Sequence, residues 1–335
     1  DSNKGDSNQS ASKTIKLGVI VPLSGSAGAI GEEVKNSVSL PDVKNIERIY
    51  EDDQCDAKKA LTAYQNLKLK GVNIFYLACS GSVMSIAPLA KENGDLILTA
   101  YAGSSEIRKT GPEVIRFVPD AVSVVDEMNA YLTQDETKKY AIFYENLDYP
   151  KSATESLVQK LGNQIVFAEG YSGDDISFKS QLLKFKNKDI DGIIMVPVSE
   201  KASQIIFKEL RQLKIANEDM KIIGDVNLCD YSFKPSDFGL HGICWKAGIS
   251  TTGFDAFASG YKAKFGIEPQ YPFYSAITYD VVHVLSDIVG GIKNPTPQAI
   301  MAELLKGKKG LITDYQFDAA GEVVNSGKYL ERVEF

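Results

Sequence analysis

Histidine, cysteine and tryptophan are scarce in this sequence, with two, four and one among 335 residues. Two histidines are too few for a histidine-rich metal site. His241 precedes a glycine in a turn-like setting and His283 falls on an apolar helical face, so both read as structural. The cysteines, at 55, 79, 229 and 244, are not in the C-x-x-C pairs of a zinc site. Walker, G-x-S-x-G and H-E-x-x-H motifs are missing, and with them the usual signatures of nucleotide, esterase and metalloprotease chemistry. No metal or cofactor is expected. Positive charge is not in excess either: the net charge is −7 and no basic cluster offsets it, which argues against a nucleic-acid partner. Nor does any apolar run approach the roughly 20 residues that span a bilayer. The longest, such as 192–198, are strand-sized.

What is present is alternation. Residues 15–21 read as a strand, 23–31 as a small-residue loop opening a short helix that Pro41 interrupts, and 46–50 as a second strand. A helical pattern over 57–70, strand 72–78, a helix through Ile86 and Ala90, and strand 96–100 follow. The order then repeats, with strands at 140–144, 164–168, 192–198 and 221–224 and helices at 152–161, 177–186 and 202–213. Two units of four β–α steps imply two parallel sheets covered by helices, a doubly wound α/β architecture. Beyond them the pattern predicts a segment 243–249, with Trp245 in the core, and helices at 254–265, 274–288 and 295–305. A β turn with Asp-x-x-Gly chemistry over 313–322 and a last strand 328–335 end the chain. Residues 1–13 are polar but for one glycine and one alanine and are expected to be disordered, either a tether from a lipidated cysteine or a ragged terminus.

The chemistry concentrates at Cys79-Ser80-Gly81-Ser82. A buried strand ends there in hydroxyls and bare backbone N–H groups, and the following helix points its positive end at the same place, which suits a carboxylate. Cys55 also lies just past a strand. Two disulfides, Cys55–Cys79 and Cys229–Cys244, would fit an oxidising compartment; four buried thiols are the alternative. Ligands of open parallel sheets bind beyond the carboxyl ends of the strands, and the loops there are small, hydroxylic or aromatic, with no paired acid and base. Ser26-Ala27-Gly28-Ala29-Ile30-Gly31 mimics a dinucleotide fingerprint, but its first glycine is serine.

Pro22-Leu23-Ser24-Gly25, the run Tyr50 to Asp56 paired with Cys79-Ser80, Tyr149, and Phe317-Asp318-Ala319-Ala320-Gly321 together resemble the type I periplasmic binding proteins. The likeness is to the branched-chain amino-acid (Leu/Ile/Val) receptors of ABC importers, and it covers nearly everything from Ile15 onward. It implies two Rossmann-like lobes that close on ligand like a flytrap, joined by three crossovers near 118–122, 248–253 and 324–329. Lobe 1 would comprise 14–119 plus 252–325, and lobe 2 would comprise 120–251 plus 326–335. The ligand set it implies is Ser80, the backbone of Tyr101 and Ala102, Gly103 where the family has threonine (with Ser104 as a substitute), and Tyr149. Val198 stands where a tyrosine is expected, Asp225 lies one position from the expected acid, and Tyr274 lines the side-chain end. The implied protein is no enzyme. It is a periplasmic or extracellular receptor, free or lipid-anchored, that takes an amino acid or similar small molecule and docks on an ABC permease. A ligand-sensing module of a signalling system is the alternative.

Overall fold

The computed structural model describes residues 14–215, 220–248, 251–324 and 330–335. The expected tether 1–13, residues 249–250 and 325–329 of two expected crossovers, and the first two residues of the expected last strand lie outside the described residues.

The first half alternates as its pattern predicts: β1 (Ile15–Val21), α1 (Gly28–Ser39), β2 (Ile46–Asp52), α2 (Ala57–Leu69), β3 (Ile74–Leu77), α3 (Ser80–Asn93), β4 (Leu96–Thr99) and β5 (Val114–Arg116). These strands form one parallel sheet in the order β2-β1-β3-β4-β5. After α4 (Ala121–Leu132) comes β6 (Tyr140–Glu145), α5 (Asp148–Leu161), β7 (Ile165–Tyr171), α6 (Lys179–Leu182), β8 (Gly192–Val196), α7 (Glu200–Gln212), β9 (Lys221–Gly224), α8 (Val226–Asp230) and β10 (Gly242–Ala247). Then follow α9 (Thr252–Phe265), α10 (Pro272–Gly291), α11 (Pro297–Leu304), a two-residue pair β11 (Lys308–Lys309) with β12 (Asp314–Tyr315), and β13 (Leu330–Glu334). The second sheet runs β13-β10-β9-β8-β6-β7, parallel except for β13, which pairs antiparallel with β10.

β3, β4 and β8 are buried along their whole length, as strands covered on both faces must be. Helix α4 packs on α5 of the second sheet's unit, whereas α10 packs back on α1 of the first. The chain therefore passes between two lobes three times.

Where the structure departs from the sequence pattern, local reasons are visible. Helix α1 is not short: it runs twelve residues and Pro41 lies beyond its end. Its Gly31 has no room for a side chain, since a Cβ would fall 1.9 Å from the Pro22 carbonyl oxygen, so this glycine serves packing. The helix expected over 177–186 is only α6: Glu209 of α7 holds Ser177 Oγ and Phe178 N–H ahead of it, and turns take over from Leu183. Asn187, in the left-handed region at φ 64°, is the last residue of the turns that follow it. Helix α4, β5 and α8 are additional elements. For α4 the signal was present: Asp120 caps it and Ala121, Val124, Val125, Met128 and Leu132 form its buried stripe. The Asp-x-x-Gly turn is formed, with Asp318 Oδ1 accepting from Ala320 and Glu322 N–H and Gly321 at φ 82°.

Candidate functional site

The carboxyl ends of the two sheets meet across a cleft of about 780 Å³, its open mouth included. On the first lobe the wall is the start of α3. The Cys55–Cys79 disulfide, Cα atoms 5.4 Å apart, ties the end of β2 to the residue before that helix. Asp53 adds a second tie by accepting the Ser82 hydroxyl at 2.5 Å and Cys55 N–H at 3.0 Å. Burial raises the Asp53 carboxyl above the usual range. A bonded cysteine cannot cap a helix, and no side chain caps α3, so its first N–H groups stay open toward the cleft. Ser80 Oγ accepts Ser104 N–H at 3.1 Å, which leaves the serine's own hydrogen to donate.

The loop after β4 is held from behind. Thr99 Oγ1 accepts Ala102 N–H at 3.1 Å, while the Arg116 guanidinium donates to the carbonyls of Ala102 and Ser104 at 3.3 and 2.7 Å. Arg116 is wholly buried and bonds Glu322, where the chain returns toward the second lobe. The aromatic part of the wall is set by Glu33 of α1. It accepts from Tyr271 N–H and Ser275 Oγ, and Ser275 Oγ in turn meets Tyr101 OH at 2.9 Å. The rings of Tyr101 and Tyr274 then pack 5.3 Å apart.

On the second lobe, Tyr149 lies in the first turn of α5 and lines the cleft. A Cβ on Gly103 would sit 2.8 Å from Tyr149 Cδ2, so the ring rests on bare backbone across the cleft. Tyr149 OH donates to Asp225 Oδ2 at 3.0 Å. Asp225 also caps α8 through Asn227 and Leu228 N–H, and burial pushes its carboxyl up to about 7. Val198 lines the cleft, its N–H fixed by Glu145 at 2.9 Å.

Of the residues singled out from the sequence, Ser80, Tyr101, Gly103, Tyr149, Val198 and Tyr274 line this one cleft. Ala102 and Ser104 are buried behind the wall, and Ser104 Oγ accepts Glu106 N–H. Asp225 lies one layer back, behind Tyr149 and Val226. Cys229–Cys244 is a second disulfide, away from the lining. Sequence reasoning missed Asn227, Asp120 and Asp148, which also line the cleft, and the Arg116–Glu322 pair behind it. A signal existed for Asp148, an acid beside the chosen tyrosine; Arg116 offered none, since its partner is 206 residues away. Asp53, Cys55 and Cys79 come close together, but both cysteines are bonded and offer no thiolate to a metal. His283 packs on Tyr279 of α10 and is not part of the lining.

The lobes also touch at the rim. Ser105 N–H donates to Ser152 Oγ at 3.2 Å, with the two hydroxyls 2.9 Å apart. Gln270 Nε2 donates to Glu200 Oε2 at 2.6 Å.

A family model described as periplasmic binding protein matches residues 14–330. The chain belongs to the type I periplasmic binding proteins. That is a family of solute-binding receptors, not of enzymes, and it works outside the cytoplasm. Several solved binding proteins share the fold. The branched-chain amino acid transporter substrate binding protein LivJ from Streptococcus pneumoniae, in complex with isoleucine, is 22% identical with a TM-score of 0.76, over 96% of this chain and 100% of that one. A solute binding protein of an ABC transporter from R. palustris, in complex with benzoate, is 16% identical with a TM-score of 0.79, over 93% and 91%. The leucine binding protein LivK from Thermotoga maritima is 19% identical with a TM-score of 0.78, over 93% of each chain. No curated protein matches the sequence. Among the described residues no helix of this binding protein is long and apolar enough to cross a membrane.

Proposed function

We propose that this binding protein captures a small polar ligand, an amino acid or related compound, between its lobes and delivers it to the permease of an ABC importer. The observation that carries the reading is the cleft itself. One wall is an uncapped helix start with a serine hydroxyl, suited to a carboxylate, and the rest is mostly apolar and aromatic, suited to a side chain. Structural relatives holding isoleucine and benzoate, both carboxylates on apolar bodies, support the same reading. Ser80, Gly103, Tyr101 and Tyr274 on one side, and Tyr149 and Val198 on the other, are the residues assigned to contact. The backbone of Ala102 and Ser104 and the carboxyl group of Asp225 support them from behind. We assign 14–119 plus 252–325 to lobe 1 and 120–251 plus 326–335 to lobe 2, a division supported by the two sheets, β1 to β5 in one and β6 to β10 with β13 in the other. We extend the assignment to a lipid-tethered receptor on the polar composition of residues 1–13; detergent phase partitioning of the protein from its native cells tests that part.

The test of function is calorimetric titration with neutral amino acids and aromatic carboxylates, paired with small-angle scattering. Binding with a fall in radius of gyration is expected. A folded protein silent to both ligand classes would overturn the reading.

A further inference from the structure

Asp120 and Asp148 line the cleft and Asp225 stands behind Tyr149, and the three differ in what already occupies them. Asp225 is fully buried, caps α8 with two N–H bonds and accepts the Tyr149 hydroxyl. Asp120 caps α4 through Val122 N–H and lies 3.7 Å from the Arg116 guanidinium. Asp148 is exposed and lines the cleft, and its carboxylate makes no hydrogen bond or ion pair among the described residues. It does not turn back to cap its own helix, although it stands in the first turn of α5. Its carboxylate instead reaches over the cleft to the first turn of α3, where a Cβ on Gly81 would fall 2.2 Å from Asp148 Oδ2. No lysine, arginine or histidine lines the cleft.

We propose that Asp148, and not Asp225, is the acidic partner of the ligand, so that the cleft selects a zwitterion with its carboxylate at the start of α3 and its ammonium at the start of α5. This rests on the amino-acid reading above and deepens it. Two points of charge favour it. A lining with acids and no bases disfavours a simple anion, which would meet only helix N–H groups and hydroxyls as compensation. Asp148 also lies against the very turn that holds the carboxylate, and the ammonium and carboxylate of an α-amino acid are separated by a single carbon. A second-layer acid behind a tyrosine ring cannot reach that ammonium without losing the cap of α8. Asp148, being exposed and unbonded, can move to it at no such cost.

The experiment compares each neutral amino acid with its deaminated acid, for example isoleucine with 3-methylpentanoate and phenylalanine with 3-phenylpropanoate, on the wild type and on Asp148→Asn. The wild type is expected to favour the amino acid by about tenfold or more. Asp148→Asn should lose most of that preference through weaker binding of the amino acid, while the deaminated acid binds as before or tighter. The melting temperature should fall only slightly, by the loss of one exposed charge at a helix start. A preference preserved in Asp148→Asn overturns the assignment. So does tighter amino-acid binding by the variant, which would mean that Asp148 competes with the ligand's carboxylate. A wild type that binds only the deaminated acids overturns this assignment and leaves the receptor reading standing. Binding of none of the probes overturns both in their amino-acid form.

Discussion

At Gly103 a single missing side chain decides how the walls of the cleft fit. The Tyr149 ring lies where any Cβ would go, 2.8 Å away at Cδ2. Gly103→Thr, which restores the family's threonine, should therefore push Tyr149 off the loop. We expect ligand affinity to fall about tenfold or more with little change in melting temperature, as titration and a thermal melt would show. Unchanged affinity would mean that the ring has another place to go. Asp225 makes a different kind of prediction. Its folded carboxyl is raised from 3.8 to about 7, with burial the main cause. Between those values the folded protein holds a proton that the unfolded chain has released. Asp225 thus costs stability increasingly as pH rises from about 4 to 7, and no further above that. Asparagine caps a helix equally well and does not titrate. Melting curves at pH 4, 6 and 8 should show Asp225→Asn gaining on the wild type with pH, by on the order of a few kcal/mol at pH 8. A constant difference would mean that this carboxyl titrates normally.

At the scale of elements, α3 and the loop after β4 are positioned by ties that cross long stretches of sequence. The disulfide and Asp53 place the start of α3; Arg116 places the loop. Arg116 is wholly buried, and Glu322, Ala102 and Ser104 all depend on it. Arg116→Ala should destabilise the protein by about 3–5 kcal/mol, because it strands a buried carboxylate and two carbonyls. Adding Glu322→Ala should recover part of that loss. Urea denaturation of the two singles and the double measures it, and additive losses would show that the pair is not coupled. These ties also mark how far the sequence could be read. The β–α alternation announced β1 to β4 and β6 to β9 and the helices between most of them, because apolar period and turn chemistry are local, but it did not announce α4, β5 or α8. Ser80, Tyr101, Tyr149 and Tyr274 were picked from the sequence, because strand ends and a family likeness mark such positions. Arg116 and Glu322 were not, since a buried ion pair shows only when both ends are in place. Nor was the Glu209 contact that fixes where α6 starts, which comes from another helix.

At the scale of the molecule, the rim contacts join residues of opposite lobes. Gln270, held on the first lobe by Glu33, reaches Glu200 on the second. Such a bond is made only when the lobes are together, so it should act on ligand release more than on capture. Glu200→Ala is expected to raise the dissociation rate about threefold to tenfold and leave the association rate unchanged. Stopped-flow measurement of both rates checks it, and an equal change in association would place the contact in the open state too.

The amino-acid pattern alone determined that there are two wound parallel sheets, where their strands end, and that a hydroxyl-bearing helix start lies at one of those ends. Periodicity, capping residues and glycines carry that information within a few residues of where it is used. Only the tertiary structure decided which acid faces the cleft. Asp225 and Asp148 are equally plain carboxylates in sequence. The first is drawn inward by the helix it caps and the tyrosine it binds, and the second is left at the surface by a fold that gives it no partner.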